Sequence, residues 1–318
     1  MSVTIRDVAK AAGVSTATVS RVINNRGYVH EKTRKKVLEA VEKLNYRPNE
    51  VARSLFKKTS KFIGLVLPDI MNPFFPALAR GVEDYLYEQG YQLIIGNSDE
   101  KKAKEIDYVE AFLQNNVVGL ILITNEINYL ELAQKNIPVV LLDRMSEDFP
   151  AVYANHPQGG HLAATEILKR GCKEVTLIRG PMNIRALFER YESAYHILEQ
   201  ANIRLNIVDS TLTFQGGQQS AVELFEKYPR TDSVIACNDM VAIAVLNEAV
   251  QRGYKVPDDL QIIGYDDIYI SNHVLPGLST IRQPAYDMGK KAAELIIKQI
   301  EQQTLEEVHY TFPVTFIE

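Results

Sequence analysis

TIRDVAKAAGVSTATVSRVIN, residues 4–24, predicts two short helices joined by a turn, because apolar residues recur at helical spacing in each half. Thr4 with Asp7 three residues later resembles a capping box, Gly13 suits a helix end, and Ser15 can cap the second helix. Two such helices around a glycine turn form a helix-turn-helix, whose second helix enters a major groove of DNA. The alternative is an ordinary amphipathic helical pair in a small core.

The charge of the chain is divided unevenly between its two ends. Residues 1–60 carry 13 Lys and Arg against five Asp and Glu, a net of +8, and the other 258 residues carry 22 against 35, a net of −13. A basic head on an acidic body is typical of a nucleic-acid-binding module, since Lys and Arg neutralise phosphates and release counterions. The charge pattern therefore favours DNA binding by the head.

The composition of the chain limits the class of protein, its location and the cofactors that can be expected. A chain of 318 residues with 46% hydrophobic and 24% charged residues is typical of a soluble globular protein with two or three domains. No apolar run of about 18 residues and no secretory signal are visible, so a cytoplasmic protein that does not enter a membrane is expected. Cys172 and Cys237 suit reduced core residues, and the six histidines lack metal-ligand spacing, so neither a metal nor a cofactor is expected.

The head continues with a turn and a third helix over about residues 31–44. The exposed face of this helix carries basic side chains that either contact phosphates or simply face solvent: Lys32, Arg34, Lys35 and Lys36. Residues 48–55 predict a further helix that starts at Pro48, with Ala52 and Leu55 on one face. A helix of about seven residues is marginal alone in water, so this one needs a partner chain or DNA. Residues 57–61 suit a linker.

From Phe62 onward the pattern alternates between short apolar runs and amphipathic segments. The apolar runs predict buried strands at residues 62–67, 92–96, 118–124, 138–142, 174–178, 233–237 and 261–264. The segments between them predict helices at about residues 75–89, 102–114, 158–169, 190–200, 216–228 and 240–252. Alternating strands and helices imply parallel sheets covered on both faces, and the fold class is α/β.

Several groups of residues in this chain resemble the LacI/GalR family of bacterial transcription regulators. In the head these are residues 8–9, 12–15, 18–24 and 48–55, and further stretches resemble members that regulate ribose use: residues 27–31, 67–69, 96–100 and 284–290. The resemblance implies a helix-turn-helix head over residues 1–47 and a hinge helix with linker over residues 48–61. It implies a periplasmic-binding-protein type 1 body over residues 62–318, with two Rossmann-like subdomains around a ligand cleft.

The resemblance also implies where the chain passes between subdomains and where it contacts DNA. The N-subdomain takes about residues 62–154 and 284–311, and the C-subdomain about residues 155–283 and 312–318, with crossings near Ala154, near Gln283 and near the C-terminus. Thr16, Ala17 and Arg21 match the base-reading positions, and Leu55 matches a leucine that wedges into the minor groove. The full set of implied DNA contacts is Thr4, Ser15, Thr16, Ala17, Thr18, Ser20, Arg21, Asn24, Tyr28, Val29, Ala52 and Leu55.

Polar and aromatic side chains follow the predicted strands, where ligands bind to sheets of this kind. They match a pentose-binding pattern, which implies ring stacking by the two phenylalanines and hydrogen bonds to sugar hydroxyls from the others: Asn72, Phe74, Phe75, Asp143, Arg144, Arg190, Asn238, Asp266 and Gln283. Two Asp against two Arg leave the pocket charge balanced, which favours a neutral sugar, ribose above all. Singly, Asp143 and Arg144 could form a local ion pair and the phenylalanines could belong to the core.

Arg190 is expected to open a helix after Gly180-Pro181, and Ser193 stands where the family usually has Gly.

The expected function is a homodimeric repressor of a sugar operon that leaves a palindromic operator when a neutral sugar binds. The alternatives are another effector (a different monosaccharide, a purine corepressor or a phosphocarrier protein), a sugar-binding transport receptor, or an enzyme that uses Asp143 and Asp266 as a glycosidase pair. No common catalytic motif is present, so the chain is not expected to be an enzyme.

Overall fold

The computed structural model describes residues 3–25, 27–46, 60–124 and 137–318 of the chain. The described residues belong to two compact units, Met1–Ser60 and Lys61–Glu318. The predicted hinge helix over residues 48–55, with its candidate DNA contacts Ala52 and Leu55, lies outside the described residues.

The first unit is a small three-helix domain. Its helices are α1 (Ile5–Ala12), α2 (Thr16–Ile23) and α3 (Glu31–Lys43). Gly13 ends α1 with a left-handed φ of 66°, as the sequence predicts, because glycine adopts this conformation without strain. The three helices enclose a core of six buried side chains: Val8, Ala9, Val19, Val22, Val37 and Ala40. The two helices predicted from residues 4–24 therefore pack with the third in one small core.

The second unit contains two six-stranded sheets. The first is built from β1 (Phe62–Leu67), β2 (Gln92–Asn97), β3 (Gly119–Leu122), β4 (Val139–Leu142), β5 (Ala151–Ala154) and β11 (His309–Phe312), in the order β11-β5-β4-β3-β1-β2. The second is built from β6 (Glu174–Arg179), β7 (Arg204–Asp209), β8 (Ser233–Ala236), β9 (Gln261–Asp266), β10 (Ser279–Arg282) and β12 (Thr315–Ile317), in the order β12-β10-β9-β8-β6-β7. All neighbouring strands are parallel except β10 and β12.

Helices cover these sheets and complete two lobes. The N lobe, built on the first sheet, holds α4 (Phe74–Glu88), α5 (Lys102–Gln114) and α10 (Ala285–Ile300). The C lobe, built on the second sheet, holds α6 (His156–Lys169), α7 (Arg185–Gln200), α8 (Phe214–Lys227), α9 (Asp239–Gln251) and a 3₁₀ helix (Tyr269–Asn272). The predicted α/β fold with two Rossmann-like subdomains is confirmed.

The chain passes from one lobe to the other at three places. It leaves the first sheet after Ala154, returns after Arg282, and crosses again between Phe312 and Thr315. The returning helix α10 lies very close to α4, because a Cβ atom at Gly289 would be 2.0 Å from the Leu78 carbonyl oxygen. This close packing fixes the helix that follows Gln283 and so positions one edge of the cleft between the lobes.

The sequence predicts the buried elements better than the edge elements. All seven predicted strands are present, whereas β5, β7, β10, β11, β12 and α10 were not predicted. The prediction that Arg190 opens a helix is wrong, because α7 begins at Arg185 and Arg190 lies in its second turn. Ile184 precedes this helix and offers no side-chain cap, so the sequence contains no start signal there.

Candidate functional site

The second helix of the head, α2, presents a small exposed surface. Thr16, Ala17 and Arg21 are exposed on it, whereas Val19 and Val22 face the core of the domain. Among the described residues Arg21 has no hydrogen bond or ion pair, so its guanidinium is available to a ligand. A short helix with a free arginine, a methyl group and a hydroxyl on one face has the side chains that read base edges in a major groove.

Other candidate DNA contacts in the head also hold the ends of its helices. The Thr4 backbone N–H and hydroxyl donate to the Asp7 carboxylate at 2.8 and 2.7 Å. The Ser15 hydroxyl accepts from the Thr18 backbone N–H at 3.2 Å, as expected for an N-cap. Asn24 closes α2 by donating from Nδ2 to the Ser20 carbonyl at 2.7 Å and to the Ser20 hydroxyl at 3.2 Å. These side chains thus have structural roles whether or not they contact DNA.

The loop after α2 adds one aromatic and one apolar candidate. Tyr28 is 89% exposed, whereas Val29 packs against the core of the head. Lys32, Lys35 and Lys36 on α3 are exposed and extend the positive charge of this unit. A single exposed tyrosine among exposed lysines is suited to contacts with a phosphate backbone.

In the second unit, an inner pocket between the lobes brings together eight of the nine predicted ligand-binding residues: Asn72, Phe74, Phe75, Asp143, Arg144, Arg190, Asn238 and Asp266. The ninth, Gln283, donates from Nε2 to Asp266 Oδ1 at 2.7 Å. The inner pocket has a volume of only about 30 Å³, room for one or a few water molecules. A sugar that contacts all these side chains must therefore displace some of them or part the lobes.

The N lobe supplies the aromatic side of this pocket. Phe74 and Phe75 open α4, are 4% and 6% exposed, and pack edge to face with ring centroids 5.4 Å apart. Asn72 precedes them and accepts from the Phe74 backbone N–H at 3.1 Å. Both phenylalanines also belong to the hydrophobic core, so these two side chains pack in the core and line the pocket at the same time.

Arg190 is the central polar group on the C-lobe side. Its guanidinium lies 3.7 Å from the Tyr265 ring centroid, donates from Nη1 to the Cys237 carbonyl at 3.1 Å, and lies 3.6 Å from Asp266 Oδ1. The nearby Asn238 caps α9 through the Val241 backbone N–H at 2.9 Å. A buried arginine held by a ring, a carbonyl and a carboxylate is pre-organised to donate to a ligand.

Ser193 fits beside Arg190 without disturbing its helix. The Ser193 hydroxyl donates to the Pro157 carbonyl at 2.7 Å, and its Cβ atom packs against Gly160 of α6. The residue therefore ties α7 to α6 while Arg190 keeps regular helical geometry.

His156 is a functional candidate that the sequence pattern did not reveal. It is 2% exposed, accepts from Arg190 Nε at Nδ1 (3.1 Å), and places Nε2 3.4 Å from Asp143 Oδ1. Since Asp143 belongs to the N lobe and Arg190 to the C lobe, His156 joins the two sides of the pocket. Its proximity to both residues depends on the tertiary fold, because 34 residues separate it from Arg190 in the sequence.

Besides Asp143 Oδ1 and His156 Nε2, which face each other 3.4 Å apart, two buried polar atoms at the pocket have no hydrogen-bond partner within the described part of the chain: Arg144 Nε and Gln283 Oε1. Buried polar groups are nearly always paired, because leaving one unpaired costs about 1–3 kcal/mol. One unpaired donor and one unpaired acceptor are suited to hydroxyl groups, each of which can both donate and accept. The pocket is therefore equipped for a ligand rich in hydroxyls.

Burial and neighbouring charges set the protonation of this cluster. Burial raises the pKa of Asp266 to about 8, despite Arg190 nearby. Burial also acts on Asp143, but the hydrogen bond from His156 and the charge of Arg144 outweigh it and lower the pKa of that carboxyl. Burial and Arg190 lower the pKa of His156, so the imidazole is neutral. Asp266 therefore carries a proton at neutral pH while Asp143 is ionised. The sequence-based balance of two Asp against two Arg is thus wrong, because only Asp143 of the two is charged. The second negative charge near the arginines comes from Glu100, 3.7 Å from Arg144.

The raised pKa of Asp266 predicts that stability falls as pH rises. Below its ordinary pKa of 3.8 the group is protonated in both folded and unfolded chains, and between that value and about 8 only the folded chain retains the proton. We expect the free energy of unfolding of the ligand-free protein to drop by about a few kcal/mol between pH 5 and 8.5. Urea unfolding of wild type and Asp266→Asn across this range measures the effect.

The Asp266→Asn variant should show a flatter pH profile, because its amide does not titrate. Asp107→Asn, which removes an exposed carboxylate from α5, serves as the matched control and should follow wild type. Parallel profiles for wild type and Asp266→Asn would show that Asp266 is not the titrating group.

The described segments also bear on membrane insertion and metal binding. They contain no helix long and apolar enough to span a membrane. Within the same residues, no group of three or more His, Cys, Asp and Glu side chains is arranged to hold a metal ion.

Comparison with known proteins identifies the family. Residues 4–49 match "Bacterial regulatory proteins, lacI family", and residues 164–318 match "Periplasmic binding protein-like domain". The chain is 52% identical over 315 residues to the "Ribose operon repressor" of Bacillus subtilis (strain 168), covering 99% of this chain and 97% of that protein.

Solved structures agree with this assignment. A LacI family transcriptional regulator from Enterococcus faecium, crystallised with bound ribose, is 30% identical, with a TM-score of 0.75 over 81% of this chain and 97% of that one. The lac repressor dimer bound to operator is 24% identical, with a TM-score of 0.88 over 100% and 98% of the two chains, and so shares the fold. The chain belongs to the lacI family of bacterial regulatory proteins.

Proposed function

We propose that this chain is a homodimeric repressor of a ribose operon, acting on operator DNA in the bacterial cytoplasm and released from it by ribose. The observation that carries the proposal is the inner pocket, which is lined by eight of the nine residues that the sequence predicts to bind a pentose. The 52% identity to a ribose operon repressor and the ribose-bound relative support the same effector. In this role the cleft binds its sugar and does not convert it.

In the proposed complex, ribose lies against the phenylalanine pair and donates to and accepts from the surrounding polar groups. Phe74 and Phe75 offer apolar surface to the ring faces, and Arg190 and Asn238 offer donors to its oxygens. Arg144 Nε and Gln283 Oε1 gain the partners that they lack. A neutral ligand rich in hydroxyls thus satisfies the pocket without adding charge.

Ribose binding is coupled to the positions of the lobes because the inner pocket, at about 30 Å³, is too small for a sugar. The contact between Asp143 and His156 links the lobes across this pocket, and an entering sugar competes for the same carboxylate.

We propose a head over residues 1–47, a hinge over residues 48–61 and a dimerising body over residues 62–318. Movement of the lobes then changes the hinges and lowers operator affinity through a coupling free energy of about 1–3 kcal/mol.

The head is proposed to bind one half of a palindromic operator. The exposed side chains of Thr16, Ala17 and Arg21 would read bases in the major groove, since guanidinium groups pair with guanine and methyl groups contact thymine. The hinge residues Ala52 and Leu55 would contact the minor groove, with Leu55 as an apolar wedge. The basic residues of the head would supply the phosphate contacts.

The proposal is tested by measuring ribose and operator binding together. Calorimetry with D-ribose, D-galactose and hypoxanthine identifies the effector, and fluorescence anisotropy with a selected operator duplex measures DNA affinity. We expect saturable ribose binding and an operator affinity about 5- to 150-fold lower in saturating ribose. Binding of hypoxanthine or galactose instead of ribose would replace the effector, and ribose binding with unchanged operator affinity would contradict the coupling.

A further inference from the structure

The inner pocket opens into a much larger outer chamber between the lobes. This outer chamber has a volume of about 510 Å³ and shares four lining residues with the inner pocket: Asn72, Phe75, Ile184 and Leu212. A substituent on a sugar bound at the inner pocket has room to extend into the outer chamber. The side chains of that chamber decide which substituted sugars the cleft accepts.

The outer chamber is strongly acidic. Four carboxylates line it: Asp69, Asp99, Glu100 and Glu105. Among the described residues of its lining, Lys102 is the only one with a basic side chain. Lys104, also in the first turn of α5, forms an ion pair with Asp99 at 2.8 Å. A dianionic group in this chamber thus meets an excess of negative charge.

Glu100 lies where the outer chamber meets the inner pocket. Its Oε1 atom lies 3.7 Å from Arg144 Nη2, and Arg144 Nη1 also contacts Asp143 Oδ2 at 2.8 Å. The side chains of Arg144 and Asp143 are only 6% and 5% exposed, so their contact is poorly solvated, whereas the Glu100 side chain is 38% exposed and reaches Arg144 from the solvent side. One arginine between two carboxylates leaves this edge of the pocket net negative, and its positive charge is not available to a phosphate.

The loop that carries Glu100 is fixed in an uncommon conformation. Asp99 and Glu100 both have left-handed backbones, with φ of 53° and 55°, which side-chain-bearing residues seldom adopt. Hydrogen bonds hold the loop there: Asn97 Nδ2 donates to Asp99 Oδ1 at 2.6 Å, and the Asp99 backbone N–H donates to the Pro68 carbonyl at 2.8 Å. The carboxylate of Glu100 is therefore held at the entrance to the inner pocket.

We propose that Glu100 determines effector specificity by excluding phosphorylated sugars, so that the cleft accepts free ribose and rejects ribose 5-phosphate. This inference rests on the proposed function. A phosphate monoester carries between one and two negative charges at neutral pH, and it would either lie beside the Glu100 carboxylate or have to break the contact of that carboxylate with Arg144.

The test compares D-ribose and D-ribose 5-phosphate by calorimetry on the full-length protein. Wild type should bind ribose at least about a hundredfold more tightly than the phosphate, and Glu100→Gln should narrow this ratio about tenfold or more. Glu100→Asp, which keeps the charge, should preserve most of the discrimination. Glu110→Gln removes an exposed carboxylate from α5 of the same lobe and should match wild type.

The outcomes separate this inference from the proposed function. A wild-type protein that binds neither compound overturns the proposed effector, and the inference with it. Equal affinity of wild type for the two compounds, or an unchanged ratio in Glu100→Gln, overturns the role of Glu100 alone. A ratio that narrows in Glu100→Gln while ribose binding persists supports it.

Discussion

Replacing Arg190 by Ala is expected to lower ribose affinity by at least about a hundredfold, because in the proposed complex its guanidinium donates at least two charge-assisted hydrogen bonds to the sugar. The structure places this guanidinium in the pocket wall, held by the Tyr265 ring, the Cys237 carbonyl and Asp266. The variant should still bind operator DNA, since Arg190 belongs to the body and not to the head. Calorimetry with ribose and anisotropy with operator, with and without ribose, measure both effects.

The Arg190→Ala protein should remain folded. Removing a charged partner usually strands the other charge, but burial already raises the pKa of Asp266 to about 8, so this carboxyl can stay protonated and neutral. Arg190→Lys provides a second variant, which keeps the charge but loses the planar fork and the stacking on Tyr265. It should lose most of the ribose affinity as well.

Arg204→Ala is the matched control for these variants. Arg204 is an exposed arginine of the same lobe that pairs with Glu174 at 3.2 Å, and neither residue lines the pocket. Its removal should leave ribose binding within about twofold, since exposed ion pairs contribute little. An Arg190→Ala protein that binds ribose like the Arg204→Ala protein would remove Arg190 from the proposed site.

Local sequence patterns predict the parts of this fold that depend on local physics. β1, β3 and β4 are apolar along nearly their whole length because helices cover both faces of a parallel sheet, and such runs are visible in the sequence. The strand β7 has a mixed burial pattern at the sheet edge, and β12 has only three residues, so neither gives a strong apolar run. These edge strands depend on pairing with distant residues.

The residues of the pocket, like the edge strands, are predicted only where a local sequence pattern marks them. The rule that ligands bind at the carboxyl ends of parallel strands, together with family resemblance, selects residues such as Asn72 and Asp143 that the structure places in one pocket. His156 and Glu100 also stand just after strands, β5 and β2, but β5 gives no strong apolar run and Glu100 is not part of the pentose-binding pattern. Their importance depends on distances of 3.4 Å to Asp143 and 3.7 Å to Arg144. The first arises only when the two lobes assemble, and the second only when the N-lobe sheet brings the ends of β2 and β4 to one edge.

Replacing Arg21 by Ala is expected to abolish most of the sequence discrimination of the head. Arg21 is exposed on α2, beside Thr16 and Ala17, and no hydrogen bond among the described residues holds it. A bidentate contact from arginine to guanine contributes about 1–3 kcal/mol of discrimination, so each half-site should lose about 5- to 150-fold in specific affinity. The measurement is the ratio of affinities for an operator selected from random duplexes and for an unrelated duplex of equal length.

This ratio separates base reading from phosphate contact. Lys43→Ala removes one exposed charge from the last turn of α3. It should lower the affinity for both duplexes to the same extent, because phosphate contacts are common to every DNA sequence. Arg21→Ala should instead reduce the ratio while largely preserving affinity for the unrelated duplex. Equal losses on the two duplexes would make Arg21 a phosphate contact, and specificity would then have to come from the other exposed residues of α2 or from the hinge.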